Sequence, residues 1–251
     1  MDLGEYLSNA METREVFSFY AFGYQIPVYD SIVVMWIIIG VLIVLSVTLT
    51  RNFKTVPSGK QNIVEIVVEL VNSITKSSIG HHWRHFAPYF GTILLFLVFA
   101  NTISIFGIIP SSEELYKLTG LEFFEHIPVI EIKPPTKDFG VNVTMAVMSI
   151  IVVLGAGLRF KGLKGWLGSL VDPLPVMIPF KILDYFIRPL SLSARLFGNI
   201  LGAFLIVELA YIALPAVFPA ALNIYFDLFD GILQAYIFVF LTSIYVAEAI
   251  E

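Results

Sequence analysis

The sequence predicts an all-α integral membrane protein with five transmembrane helices plus one interfacial amphipathic helix, the last two helices being long and tilted. Three observations predict this. The chain is 57% hydrophobic and only 14% charged, with a mean hydropathy of +0.84. Soluble domains run at about 45–50% apolar and about 25% charged, so too little polar surface is present to cover a water-exposed globule. Second, three long segments carry no charge at all. Third, two further apolar stretches near the C-terminus carry charges in register on one helical face.

The elements follow in order, as one membrane domain over 1–251. Residues 1–30 read as an external N-terminal segment. Its Asp2, Glu5, Glu12 and Glu15 do not fit a cleaved signal peptide or a basic transit peptide. Ser31–Thr50 is charge-free and long enough to cross a ~30 Å hydrocarbon core. Residues 61–79 read as the interfacial helix. Ile63, Val64, Ile66, Val67, Val68, Leu70, Val71 and Ile74 are interspersed with Asn62, Glu65, Glu69, Asn72 and Lys76, an amphipathic pattern too polar to span. Phe86–Ser112 is the second span. Residues 111–138 form an external acidic loop ending in a rigid "KPPTKD" turn. Phe139–Leu158 is the third span. Pro175–Val217 and Pro219–Ala247 give the tilted pair over 175–248, each longer than a crossing needs.

Lys and Arg set the orientation. Arg51, Lys54, Lys60, Lys76, Arg84, Arg159, Lys161 and Lys164 lie on one side; Arg14, Lys117, Lys133 and Lys137 lie on the other. The expected topology is an external N-terminus and a cytoplasmic C-terminus. The net charge of −5 provides no basic surface for nucleic acid. With no cysteine, disulfides and thiolate sites are excluded. The HHWRH stretch at 81–85 reads as a headgroup anchor beside Trp83 rather than a metal site. No phosphate-binding loop, hydrolase elbow or dinucleotide fingerprint occurs. No cofactor and no catalytic chemistry are expected in this chain.

The fourth span orders its polar residues. Lys181, Asp184, Arg188, Ser191, Arg195, Asn199 and Gly202 follow at steps of three or four, which keeps them on one face. Gly198 and Gly202 form a small-xxx-small pair that lets another helix come close. In the fifth span Asp227, Asp230, Gln234, Tyr245 and Glu248 lie near one face. Several of these have ordinary explanations. Asn199 and Gln234 alone fit helix–helix glue. Lys181 and Arg188 can snorkel, with Asp184 as partner. Glu208 and Asp227 fit the outer interface, and Glu248 and Glu251 fit a solvated tail. Arg195 has no such account. It lies roughly 14 residues or more, about 21 Å of helix, from either end, where an arginine costs about 2.5–3.5 kcal/mol or more.

These residues carry a resemblance. "RPLSLSARLFGNILG" is similar to the signature of subunit a of F-type ATP synthases, the membrane-embedded stator subunit of the rotary Fo sector. "VPSGKQNIVEIVVELVNSITKSSIG" resembles its interfacial helix and "FAPYFGTILLFLVFANTISIFGIIP" the following span. "PPTKDFGVNVTMA" resembles the Pro-Thr-x-Asp-x-x-x-Asn entry to the next span, and "LQAYIFVFLTSIYVAEAIE" the last helix. The likeness covers nearly the whole chain.

The resemblance implies an ion-translocating subunit, most simply for protons, whose 175–248 pair faces a ring of c subunits. Two offset half-channels would meet that ring. Arg195 would keep each passing ring carboxylate ionised and block a direct short circuit. A guanidinium suits this role because it keeps its charge where an ammonium would lose it. The positions matched for ion translocation are Arg195, Asn199, Gln234, Asp227, Asp230, Glu208, Asp184, Glu248, Tyr245, Asn142 and Asn101. Implied partners are the c ring, the peripheral-stalk b subunits, the other synthase subunits and the lipid bilayer, in a bacterial cell (inner) membrane. Three positions depart from the family, one being Lys181, which stands where some relatives have Glu. Phe204 stands where many relatives have Glu or His, and Asp227 where many have His or Glu, so Asp227 with Asp230 and Glu208 would serve the outer half-channel. The alternative from another class, a secondary transporter using a midplane Arg for an anionic substrate, calls for internal repeats and broken helices in both halves. Neither is visible.

Overall fold

The computed structural model describes residues 15–21, 23–51, 53–54, 59–103, 134–171, 175–213 and 217–251. Among them are two strands, β1 (Glu15–Ala21) and β2 (Tyr24–Tyr29), and seven α-helices. These are α1 (Asp30–Thr50), α2 (Lys60–Ile79), α3 (Trp83–Thr102), α4 (Phe139–Val171), α5 (Ile178–Ala213), α6 (Val217–Ile224) and α7 (Gly231–Ile250). A π turn, Tyr225–Asp230, joins α6 to α7 without breaking the helix path. Five stretches are long and apolar enough to cross a membrane: 30–50, 60–102, 139–169, 175–207 and 221–250. The 60–102 stretch includes both α2 and the α3 span.

α1 is a lipid-type helix. It is apolar all round, and only Ser31, Val34 and Ile38 are buried, against Ala100 of α3. α2 is amphipathic, as its sequence predicts. Its C-terminal half buries Val71, Ile74, Thr75 and Ile79, and it packs on α3 and α7. The main core gathers Phe90, Leu97, Ala146, Val153, Leu196, Phe238 and Val246 from four helices. α7 packs on α2, α3 and α4, whereas α5 packs mainly on α4 and touches α7 sparsely.

Three features differ from the sequence reading. The N-terminal segment, given no regular element by the sequence reading, forms a hairpin over 15–29. The third span continues beyond Leu158, and its helix breaks at Gly162. A φ of 69° there is open to glycine and costly for residues with a Cβ. Beyond the break, Trp166 Nε1 donates to Tyr185 Oη (3.2 Å), and Lys181 Nζ donates to the Ser169 carbonyl. Lys181 is therefore tied to the neighbouring helix end rather than only snorkelling. Most of the acidic loop, 111–133, lies outside the described residues, while its closing turn is a 3-10 helix, Pro135–Lys137.

Candidate ion-translocation site

One end of the bundle is fixed by a buried polar network. Asp138 precedes α4 and accepts the Gly140 N–H (2.8 Å) as an N-terminal cap. Its other oxygen accepts from Ser31 Oγ of α1 (2.9 Å). Thr136 Oγ1 donates to Asn101 Oδ1 (2.8 Å), and Asn142 Nδ2 donates to the Thr136 carbonyl (2.7 Å). Asn101 Nδ2 in turn donates to the Gly231 carbonyl (3.0 Å). Thr136, Asp138 and Asn142 are the polar residues of the Pro-Thr-x-Asp-x-x-x-Asn string. They join α1, α3 and α4 to the start of α7. Asn101 and Asn142 thus hold the frame next to the π turn.

The π turn carries two of the three carboxylates of the fifth span. Asp227 and Asp230 lie within Tyr225–Asp230, and both are half-buried. A π turn inserts one extra residue per turn and recurs at functional sites. It places Asp230 where Asn199 Nδ2 of α5 donates to its Oδ2. Eleven residues earlier on α5, Arg188 makes a second cross-link. Its Nη2 lies 2.6 Å from Glu248 Oε2 of α7 and 4.0 Å from Asp184, with its guanidinium carbon 4.8 Å from the Tyr245 ring centre. α5 and α7 run antiparallel, so in these two clasps Asn199 meets the start of α7 and Arg188 meets its end.

Arg195 lies between these clasps on α5. Its side chain is exposed on the outer face, beside Ser191, Ala194 and Gly198. Among the described residues no hydrogen bond or ion pair reaches it. A Cβ built on Gly198 or Gly202 would meet nothing within 4 Å, so among the described residues no helix occupies the close approach that the glycine pair allows. Gln234 faces the other way. It is 5% exposed, and its Nε2 has no hydrogen-bond partner among the described residues. The Glu208 side chain lies outside the described residues. Phe204, where an acid or His was expected from relatives, lies under Lys137, whose Nζ is 4.3 Å from its ring centre.

The sequence profile of the family described as "ATP synthase A chain" matches residues 32–247. The chain belongs to the ATP synthase A chain family. It is a stator subunit of the Fo sector, a multi-pass membrane protein that works with other ATP synthase subunits. That membership removes the basis for a secondary transporter.

Sequence reasoning underrated two residues of this ATP synthase A chain. Arg188 read as a snorkelling cation, yet it joins α5 to α7. Gly231 drew no attention, yet a Cβ there would lie 2.9 Å from Asn101 Cβ. Spacing contained part of the first signal, because Arg188 precedes Arg195 by seven residues, two helical turns, on the same face. Nothing local signalled the second, since its partner is 130 residues away in the chain.

Proposed function

We propose that this chain carries ions, protons in the simplest reading, between two offset half-channels at its contact with a ring of c subunits. In this reading the N-terminus is outside and the C-terminus cytoplasmic. Arg195 keeps a ring carboxylate ionised as it passes and bars direct leakage between the half-channels. The observation that carries this is the exposed Arg195, without a partner among the described residues, on the outer face of a membrane-spanning helix. A cation left in hydrocarbon is costly, so a carboxylate from another chain is the natural partner. The open glycine pair at Gly198 and Gly202 supports close approach of a helix from that chain.

The clasps suggest how the two half-channels are separated. Asp227, Asp230 and Asn199 serve the outer route, with Glu208 alongside. Asp184, Tyr245 and Glu248 serve the inner route, gathered by Arg188. Gln234, whose buried Nε2 has no partner among the described residues, serves as a polar contact between the two. A charge crossing 100 mV releases about 2.3 kcal/mol, so several transfers are needed for each ATP made.

Because the chain lacks cysteine, single cysteines test the ring contact. In the assembled complex, Ala194→Cys should form a disulfide with a cysteine placed beside the ring carboxylate, stop ATP-driven pumping, and release it on reduction. Leu192→Cys, on the buried face, should not cross-link. Equal cross-linking at both positions, or pumping unaffected by an Ala194 cross-link, would refute the proposal.

A further inference from the structure

The hairpin of residues 15–29 is amphipathic. Its register pairs Phe17 with Val28, Ser18 with Pro27, Phe19 with Ile26 and Tyr20 with Gln25. Side chains alternate across a strand. Phe17, Phe19, Tyr24, Ile26 and Val28 therefore share one face, and Ser18, Tyr20, Gln25 and Pro27 the other. The second face holds the polar side chains Ser18 and Gln25 beside Tyr20 and Pro27, and is internally bonded. Gln25 Nε2 donates to Ser18 Oγ (2.8 Å), and Tyr20 Oη donates to Gln25 Oε1 (3.4 Å). The first face is apolar and uncovered. Phe17, Phe19 and Ile26 are exposed, and Tyr24 is 74% exposed.

Such an arrangement needs an external support. A two-stranded hairpin is at best marginally stable in water, and a contiguous exposed apolar face marks an interaction surface. The position of the hairpin indicates which support. β2 ends at Tyr29 and α1 begins at Asp30, with no residue between them. α1 is long and apolar enough to cross the bilayer, so the hairpin is held at the level where that span enters it. Val28, nearest the helix, is already 2% exposed, while the uncovered residues lie further along the strands. Aromatic side chains favour this headgroup level.

We propose that the hairpin lies in the lipid headgroup layer. Phe17, Phe19, Tyr24 and Ile26 dip toward the acyl chains, and Ser18 and Gln25 face water. It is the strand counterpart of an amphipathic helix lying in the interface, and it sets the depth of α1.

Single nitroxide labels test this in the assembled complex, with all other cysteines removed, in vesicles of phosphatidylethanolamine and phosphatidylglycerol. The sites are Phe19→Cys, Tyr24→Cys and Gln25→Cys. Tyr24 is so exposed that folding is not at stake there. Labels at Phe19 and Tyr24 should be relaxed several-fold more by oxygen, which concentrates in lipid, than by a water-soluble nickel chelate. The label at Gln25 should show the reverse. If all three are equally open to the chelate, the hairpin stands in water and the proposal fails. If the Phe19 and Tyr24 labels are shielded from both relaxants, protein covers the face, and it fails equally.

Discussion

Replacing Gly231 by alanine tests how firmly the frame holds the π turn. The new Cβ would lie 2.9 Å from Asn101 Cβ and 3.6 Å from the Asn101 backbone carbonyl group. Carbon atoms settle at about 3.5–4.0 Å, so α3 and α7 must separate by about 0.6–1 Å. The Asn101 Cβ is fixed to its backbone and cannot swing aside as a side-chain tip would. Overpacking of this kind costs about 1–3 kcal/mol. Loss of the Asn101–Gly231 hydrogen bond adds about 1 kcal/mol. Alanine's better helix propensity returns about 1 kcal/mol, leaving a net cost of about 1–3 kcal/mol. Asp230 directly precedes Gly231, so its carboxylate shifts relative to Asn199 as well. In purified, reconstituted complex, Gly231→Ala should lower the thermal dissociation midpoint of this subunit and reduce ATP-driven pumping several-fold. A variant with both values unchanged would refute the argument that this contact positions the π turn.

Two further outcomes are expected. Asp227→Asn should reduce coupled ion flux at least tenfold while leaving assembly intact, because it removes an intramembrane carboxylate from the proposed outer route; unchanged flux would count against that assignment. Arg188→Ala and Glu248→Ala should be non-additive, with a coupling of about 1 kcal/mol as expected for a partly exposed ion pair; a double-mutant cycle on thermal dissociation of the complex measures it, and full additivity would mean that the clasp contributes nothing.

How far the sequence could be read depended on whether the signal was local. α1 starts one residue before the expected Ser31 and ends with it at Thr50, because twenty charge-free residues admit no other reading. α2, at Lys60–Ile79, likewise follows its amphipathic period. The ordering of charges along the α5 face was also readable, since steps of three and four need only the helix. The hairpin does leave a signal: Phe17 and Phe19 flank Ser18, and Tyr24, Ile26 and Val28 alternate with Gln25 and Pro27. The π turn leaves no periodic trace, because one added residue over a single turn barely shifts an already apolar pattern. The direction of Gln234 was not readable either. It shares its side of α7 with buried Ala235, Phe238 and Thr242, and only packing on the other helices decides that this side is the inner one. The same holds for Lys137 over Phe204, an encounter between distant parts of the chain.

The central claim rests on Arg195, and the most direct measurement is coupled transport with Arg195→Ala. Assembly of the complex is confirmed first. Ion-driven ATP synthesis, ATP-driven pumping and passive ion leak are then recorded on the same vesicles. The account predicts loss of both coupled activities and a new passive leak, because the barrier between the half-channels has gone. Near-normal coupled transport without leak, in a fully assembled complex, would contradict it.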